Sequence, residues 1–180
     1  MMQHKALHRF HSHIPHRPHP APAEQELMPG DVALARHGQR LKTLLGSCVS
    51  VILTDRQRST ATMCHIVHSM PPNSANLHNT AYASCAMDKM FHLIRHAGLS
   101  PTQCEAYLFG GGNMFPEQHR DNHVGERNAH WAWDFLTEHH IPIVGYSVGG
   151  TVYRKLAWTI GPAEPELITT DVQTGECHEH

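Results

Sequence analysis

A cysteine at a tight turn is the residue of this chain best suited to covalent chemistry. The sequence Gly-Ser-Cys at residues 46–48 comes directly before an apolar, β-branched run at 49–53. The run predicts a strand with Cys48 on one face and Val49 on the other. Gly46 permits a sharp backbone turn, and the N–H groups of residues 46–49 are candidates to stabilise a thiolate or an oxyanion. A free cysteine at a strand start is more often a small buried apolar residue, so a nucleophile needs further support.

A cysteine nucleophile needs a base, and position selects one of the 19 histidines. His65 lies on a predicted strand at 60–67 that forms a hairpin with the Cys48 strand. Neighbours on one face of a hairpin lie about 5 Å apart at Cβ, so we expect His65 beside Cys48 and the neighbouring Cys64 pointing away in a structural role. Thr43, just before the turn, is a candidate to orient the imidazole or the substrate. A hydrogen-bonded core histidine is the competing interpretation of His65.

The elements that position these residues predict a mixed α/β fold. A long helix is expected at about 76–97, with Asn73 or Ser74 as its N-cap and Gly98 after its end, and a second at 125–139. Strands are expected at 31–35, 48–54, 60–67, 105–109, 141–145, 152–160 and 166–172. Three glycines follow the strand at 105–109, but no phosphate-binding motif surrounds them, so a nucleotide is not expected.

Composition excludes several classes of function. The chain has 180 residues and a formal net charge of −2, which gives no electrostatic reason to expect nucleic acid. Its five cysteines include no C-x-x-C pair, which argues against a disulfide framework or zinc ribbon and favours a reducing cytoplasm. No apolar run approaches the roughly 18 residues that span a bilayer, so no membrane insertion is expected, and no secretory signal is indicated.

The two ends of the chain are predicted to lie outside the folded domain. Residues 1–26 are rich in histidine and proline, and we expect a disordered tail. The folded domain is assigned to residues 27–172, and residues 173–180 are assigned to a flexible C-terminal tail. Histidine-rich tracts can bind transition metals loosely, but the core has no convincing ligand spacing. Metal handling is therefore the least favoured function.

Several short motifs occur in order between about residues 31 and 161. They are Leu-Leu-Gly-Ser-Cys-Val at 44–49, Met-Cys-His at 63–65, Leu-Phe-Gly-Gly-Gly-Asn-Met-Phe at 108–115, Gly-Glu-Arg-Asn at 125–128, Ile-Pro-Ile-Val at 141–144 and Val-Gly-Gly at 148–150. This combination resembles the CheD family of chemoreceptor glutamine deamidases. The turn at 44–49 together with the glycine loop at 108–115 is the specific part of the resemblance.

The resemblance implies a three-layer α/β/β sandwich with a mixed or antiparallel sheet and two main helices. It implies hydrolysis of glutamine side-chain amides to glutamate on methyl-accepting chemotaxis receptors, with release of ammonia and without metal or organic cofactor. Cys48 is then the nucleophile, His65 the general base and acid, and Thr43 the third residue. Asn128 is expected to shape the surroundings of the site. Substrate-binding residues are expected in the turn and the glycine loop: Gly46, Ser47, Gly110, Gly111, Gly112 and Asn113.

Two positions depart from the family pattern. His65 is followed by a longer loop that contains His68, a rival base, although the spacing to Cys48 favours His65. Ser147 stands where an acidic residue commonly precedes Val-Gly-Gly, which affects the polar network near Gly149.

A second hypothesis is a binding module without catalysis. Such a protein would regulate chemotaxis by docking receptors or a CheC-like phosphatase, and the resemblance permits both roles. Unchanged receptor glutamines in the presence of the protein would favour this hypothesis.

Overall fold

The computed structural model describes residues 23–118 and 123–180, which form two five-stranded sheets and two α-helices. In spatial order, the first sheet contains β1 (Glu24–Glu26), β3 (Arg40–Leu45), β8 (Val152–Thr159), β9 (Glu166–Asp171) and β10 (Cys177–Glu179). The second contains β2 (Val32–Arg36), β5 (Thr60–Cys64), β4 (Val49–Asp55), β6 (Cys104–Gly110) and β7 (Ile143–Val148). The helices are α1 (Ala83–His96) and α2 (Val124–Glu138), with a short 3-10 helix at Pro101–Gln103.

The elements stack in three layers, and β4 shows why. Its side chains alternate between two apolar cores, so every residue of the strand is buried. Val49 and Val51 join the core beneath the two helices, whereas Ile52 joins the core between the two sheets. A strand covered on both faces has a nearly continuous apolar sequence. This arrangement confirms the predicted α/β/β sandwich with two main helices.

Strand β3 was not among the predicted strands, although it carries Thr43. It pairs antiparallel with β8, with Thr43 opposite Leu156, and parallel with β1. Leu41, Thr43 and Leu45 are buried between the sheets, while the residues between them are less buried. This is the period of two that a strand with one covered face requires.

Helix α1 begins at Ala83, later than the predicted residue 76. The preceding segment forms turns in which asparagine side chains bind nearby backbone: Asn73 Oδ1 accepts from Ala75 N and Asn79 Oδ1 from Ala81 N. Such local bonds compete with helix formation. Tyr82 is the N-cap residue and its side chain makes no capping bond, so the expected caps Asn73 and Ser74 lie outside the helix.

Both ends of the fold extend past the predicted domain boundaries of 27 and 172. Strand β1 lies inside the predicted N-terminal tail and pairs with β3, and β10 lies inside the predicted C-terminal tail and pairs with β9. In each case the neighbouring strand supplies hydrogen-bond partners that the local sequence does not reveal. The rest of the predicted disordered tail, residues 1–22, lies outside the described residues. Of the described helices, neither is long and apolar enough to cross a bilayer.

Candidate active site

Thr43 and His65 meet in the buried layer between the two sheets. Thr43 comes from β3, and His65 directly follows β5. His65 Nδ1 lies 2.9 Å from Thr43 Oγ1, which in turn donates to the backbone carbonyl of Leu27 at 2.9 Å. His65 is 3% exposed and Thr43 4% exposed. Because bulk water scarcely reaches these groups, the hydrogen bonds between them determine the orientation of the imidazole.

The chain of hydrogen bonds also fixes which imidazole nitrogen carries the proton. A carbonyl can only accept, so the Thr43 hydroxyl gives its single proton to Leu27 and must accept from His65. Nδ1 therefore carries hydrogen, and the Leu27 oxygen lies 3.5 Å from the same nitrogen. Nε2 is left with a free lone pair, the form of histidine that acts as a base. Leu27 was not a predicted site residue, because a backbone carbonyl has no signature in the sequence.

Cys48 lies on the same face of the second sheet as His65. The β4–β5 pairing, which includes Ile52 opposite Met63, returns in the same register at an isolated bridge between Val49 and Ile66, whose two backbone hydrogen bonds measure 3.0 and 2.8 Å. That register places Ser50 directly opposite His65 and Cys48 diagonal to it. Diagonal neighbours are about 7–8 Å apart, within reach of long side chains. Cys48 is therefore a diagonal neighbour of His65, whereas the sequence predicted a closer neighbour on the same face.

The thiols of Cys48 and Cys64 occupy different environments. Cys48 is half-buried and packs against the core between the sheets. Cys64 is fully buried in the core beneath the helices, and burial raises its pKa to about 12. A thiol held neutral away from His65 has the character of a structural residue.

Burial keeps both Cys48 and His65 uncharged. It raises the pKa of the Cys48 thiol. It lowers the pKa of the His65 imidazole, an effect that outweighs the opposing influence of the Leu27 carbonyl and the Asp31 carboxylate. Desolvation disfavours the charged form of each group. The two side chains therefore favour a neutral thiol and a neutral imidazole over a preformed ion pair.

Three N–H groups of the turn have no acceptor among the described residues. Val49 N donates to Ile66 O, so Val49 is removed from the predicted oxyanion donors. Within residues 23–118 and 123–180, the N–H groups of Gly46, Ser47 and Cys48 have no acceptor. All three are open, and an oxyanion site requires such open donors.

The glycine loop supports this turn from behind. Gly111 N donates to Cys48 O and Gly112 N to Gly46 O, each at 2.8 Å. Gly110 has a φ of +110°, and a Cβ there would overlap the Cys48 carbonyl oxygen. A Cβ on Gly125 of α2 would lie 2.5 Å from Gly112 O. Only glycine allows such close contact of backbone with backbone.

The predicted substrate-binding residues therefore fall into two groups. Gly46 and Ser47 are half-buried in the turn, whereas Gly110, Gly111, Gly112 and Asn113 are buried. Asn113 Oδ1 accepts from Phe115 N at 3.0 Å. Contact between any of these residues and substrate remains a prediction.

The rival histidine, His68, lies against a different element. Its ring packs on Tyr82 at the start of α1, with ring centroids 5.0 Å apart. His65 is the one of the two that contacts Thr43.

Arg154 is a buried cation near the end of the turn. It lies opposite Leu45 in β3 and is 3% exposed. Its guanidinium donates to Ser147 Oγ at 3.1 Å and to Gly149 O at 2.7 Å, and among the described residues it has no carboxylate partner. Burial lowers its pKa to about 10, so it stays charged at neutral pH. Ser147 thus supplies only a neutral partner to this charge.

Exposed apolar side chains border the turn. Leu44 precedes it, and Phe115, which follows the glycine loop, is 63% exposed. Tyr153 of β8 is also exposed, and its ring lies 3.4 Å from where a Cβ on Gly46 would be. Large exposed apolar side chains on segments next to a site are candidates for contact with another protein.

Comparison with known proteins identifies the family. The family model described as CheD chemotactic sensory transduction matches residues 68–164, a stretch that begins after Cys48 and His65. The chain is 32% identical over 145 residues to a probable chemoreceptor glutamine deamidase, CheD 2, of Albidiferax ferrireducens, covering 77% of this chain and 83% of that protein. It is 34% identical over 144 residues to the probable chemoreceptor glutamine deamidase CheD of Pseudomonas savastanoi pv. phaseolicola, covering 77% and 80%. It is also 34% identical over 140 residues to that of Pseudomonas fluorescens, covering 74% and 77%. The chain therefore belongs to the CheD family.

Proposed function

We propose that this protein hydrolyses the side-chain amide of glutamine residues in chemoreceptors, with Cys48 as the nucleophile. The observation that carries the proposal is the 2.9 Å contact between His65 Nδ1 and Thr43 Oγ1, which leaves Nε2 as a base on the face of Cys48. The substrate class follows from the relatives, which are named probable chemoreceptor glutamine deamidases. Thr43 acts through His65, as the group that holds its tautomer.

The first half of the reaction forms a thioester. His65 Nε2 takes the proton of the Cys48 thiol while the sulfur attacks the carbonyl carbon of the glutamine side chain. The carbonyl oxygen becomes an oxyanion, which the Ser47 and Cys48 N–H groups bind; removal of one such donor costs about 2.7–4 kcal/mol of transition-state stabilisation in other enzymes. The His65 imidazolium then protonates the amide nitrogen, and ammonia leaves as the C–N bond breaks.

The second half of the reaction restores the enzyme. His65, neutral again, removes a proton from water as the water oxygen attacks the thioester carbonyl. The C–S bond breaks, the sulfur recovers its proton from His65, and glutamate is released. Each cycle consumes one water and yields one ammonia, and no metal or organic cofactor takes part.

A neutral cysteine and histidine suit this sequence of steps. Since burial raises the pKa of Cys48 and lowers that of His65, proton transfer accompanies attack rather than preceding it. His65 is then unprotonated at neutral pH and ready to act as a base. We assign the reaction to the cytoplasm, because all five cysteines are free thiols, as a reducing compartment favours.

The proposal is tested with a receptor cytoplasmic fragment as substrate. The fragment is incubated with the protein, digested and analysed by mass spectrometry for conversion of glutamine to glutamate, and ammonia is measured in parallel. We expect particular glutamines to be converted, with one ammonia released per conversion. Glutamines that stay unchanged at every protein concentration would contradict the proposal.

The alternative is a non-catalytic regulator that docks receptors or a CheC-like phosphatase. The exposed Leu44, Phe115 and Tyr153 favour it, because they provide a docking surface whether or not catalysis follows. In that case the receptor fragment co-sediments with the protein while its glutamines remain intact.

A further inference from the structure

A side chain from α2 holds the peptide that joins Ser47 to Cys48. Asn128 Nδ2 donates to Ser47 O at 3.2 Å and to Val67 O at 3.0 Å. Asn128 is 1% exposed, so solvent does not compete for these bonds. Both acceptors are carbonyls, so the nitrogen of the amide, and not its oxygen, must face them. Asn128 thus connects the Cys48 turn to the segment that follows His65.

Binding a carbonyl also determines where the N–H of the same peptide points. The peptide is planar and trans, so its C=O and N–H lie in opposite directions. With its C=O held by Asn128, the Ser47–Cys48 peptide directs the Cys48 N–H away from α2. The preceding peptide behaves in the same way: Gly112 N holds Gly46 O at 2.8 Å, so the Ser47 N–H points away from the glycine loop.

The peptide between Cys48 and Val49 has the same arrangement. Gly111 N binds Cys48 O on one side, and Val49 N, in the same peptide, donates to Ile66 O on the other. The two hydrogen bonds lie on opposite sides of the chain, as a trans peptide requires. Three successive carbonyls of the turn are therefore anchored from behind, and the first two of the matching N–H groups are left open.

The amide of Asn128 carries a cost that an apolar side chain would avoid. Its Oδ1 is buried and has no hydrogen-bond partner. An unsatisfied buried acceptor is destabilising, whereas a leucine of similar size would leave no such atom. The two hydrogen bonds that Nδ2 donates are therefore the contribution that an apolar residue at this position could not make.

We propose that Asn128 is a positioning residue for deamidation, which fixes and polarises the peptide whose N–H, that of Cys48, binds the oxyanion. This inference rests on the proposed function. A hydrogen bond accepted by a peptide C=O strengthens donation by its N–H. Donors already aimed at the developing charge need no reorganisation during the reaction. Asn128 thereby acts on catalysis without touching substrate.

The test separates oxyanion stabilisation from the reactivity of the thiol. Asn128→Leu and the smaller Asn128→Ser are assayed for kcat and KM with a receptor glutamine peptide, and for the rate at which iodoacetamide alkylates Cys48. Alkylation displaces iodide from a saturated carbon and forms no oxyanion. Because complete loss of one oxyanion donor lowers kcat about 10²–10³-fold, we expect at least a ~10-fold lower kcat. KM and the alkylation rate should stay close to the wild-type values.

Thr54→Val is the matched control. The buried Thr54 hydroxyl lies within hydrogen-bond distance of the carbonyls of Asp55 and Thr60, at 3.2 and 3.1 Å, near the far end of β4, so its loss weakens the same strand without touching the turn. Its kcat should match the wild type. Thermal melts followed by circular dichroism identify which Asn128 variant is folded and suitable for comparison.

Each possible outcome decides between the claims. A wild-type kcat in a folded Asn128 variant overturns the inference, and so does an equal fall in kcat and alkylation rate, which indicates a general disturbance of the turn. Failure of the wild-type protein to deamidate overturns the proposed function and this inference with it. Active wild-type protein with an unaffected Asn128→Leu overturns the inference alone.

Discussion

Replacement of Thr43 by valine tests whether one hydroxyl holds the catalytic base. Valine fills nearly the same volume, so the change removes two buried hydrogen bonds, one to Leu27 O and one from His65 Nδ1, each 2.9 Å long. A typical hydrogen bond contributes about 0.5–1.5 kcal/mol, and an unsatisfied buried group costs ~1–3 kcal/mol. Since Nδ1 and Leu27 O are already 3.5 Å apart, they can approach and bond directly. We therefore expect a net loss of about 1–2 kcal/mol in the free energy of unfolding.

The effect of Thr43→Val on catalysis should exceed its effect on stability. Without Thr43, the imidazole can rotate or carry its proton on Nε2, which removes the base. A wrong histidine tautomer costs about 10⁴-fold in a serine protease, but the Leu27 carbonyl still favours hydrogen on Nδ1 here. The expected fall in kcat is therefore ~10–100-fold, the size typical of groups that orient a ligating histidine. The measurements are kcat and KM for glutamine conversion, and urea unfolding.

Two further variants make the Thr43 experiment decisive. Thr43→Ser keeps the hydroxyl and should retain most of the activity. Thr62→Val removes an equally buried hydroxyl, on β5, that has no hydrogen-bond partner, so neither activity nor stability should fall. If Thr43→Val keeps the wild-type kcat while it loses stability, Thr43 is only a structural residue and the reasoning about the tautomer is refuted.

Three other predictions follow from the electrostatics and packing of the site. The lowered pKa of His65 should place the acid limb of the kcat/KM profile below the ordinary histidine pKa of about 6.5. Because the pKa of Cys48 is raised, the rate of its alkylation by iodoacetamide should increase towards alkaline pH. An alkylation rate that is constant between pH 6 and 8 would instead indicate a preformed ion pair. Ser147→Asp gives the buried Arg154 a carboxylate and should raise the free energy of unfolding by ~1–3 kcal/mol relative to Ser147→Asn. Because the ion pair lowers the pKa of the carboxyl group, this gain is present above pH ~4 and is lost below it. Equal stability of the two variants in urea unfolding would refute the prediction. Gly110→Ala should destabilise the protein by ~1–3 kcal/mol through its positive φ alone. The overlap of the added Cβ with the Cys48 carbonyl oxygen should destabilise it further. A melting temperature equal to that of the wild type would contradict the close contact between Gly110 and the turn.

The sequence predicted the hairpin and the face of the sheet that brings Cys48 towards His65. Alternation of apolar residues is a local property, so it revealed that Ile52 and Cys48 share a face opposite Val49. The sequence likewise predicted α1, but loops that Asn73 and Asn79 stabilise locally take the place of its expected first turns. Such competition between side chain and backbone is weakly encoded in residue type.

The parts of the site that the sequence did not predict depend on contacts between distant segments. The tautomer of His65 is set by the carbonyl of Leu27, and any residue type has a carbonyl. The glycine loop was predicted as part of the site, but its contact with the backbone of the Cys48 turn emerges only from the fold. The bond from Asn128 to Ser47 also joins α2 to a turn far away in the chain. The residue types thus indicated which side chains could react, but they did not indicate the backbone contacts that position those side chains.

The most direct test of the central claim is the rate of glutamate formation by Cys48→Ala compared with the wild-type protein on the same receptor fragment. Quantitative mass spectrometry of the glutamine-containing peptides gives both rates, and circular dichroism verifies that the variant is folded. With Cys48 as nucleophile, glutamate formation by the variant should fall to the uncatalysed background. Conversion by Cys48→Ala at the wild-type rate would contradict the mechanism.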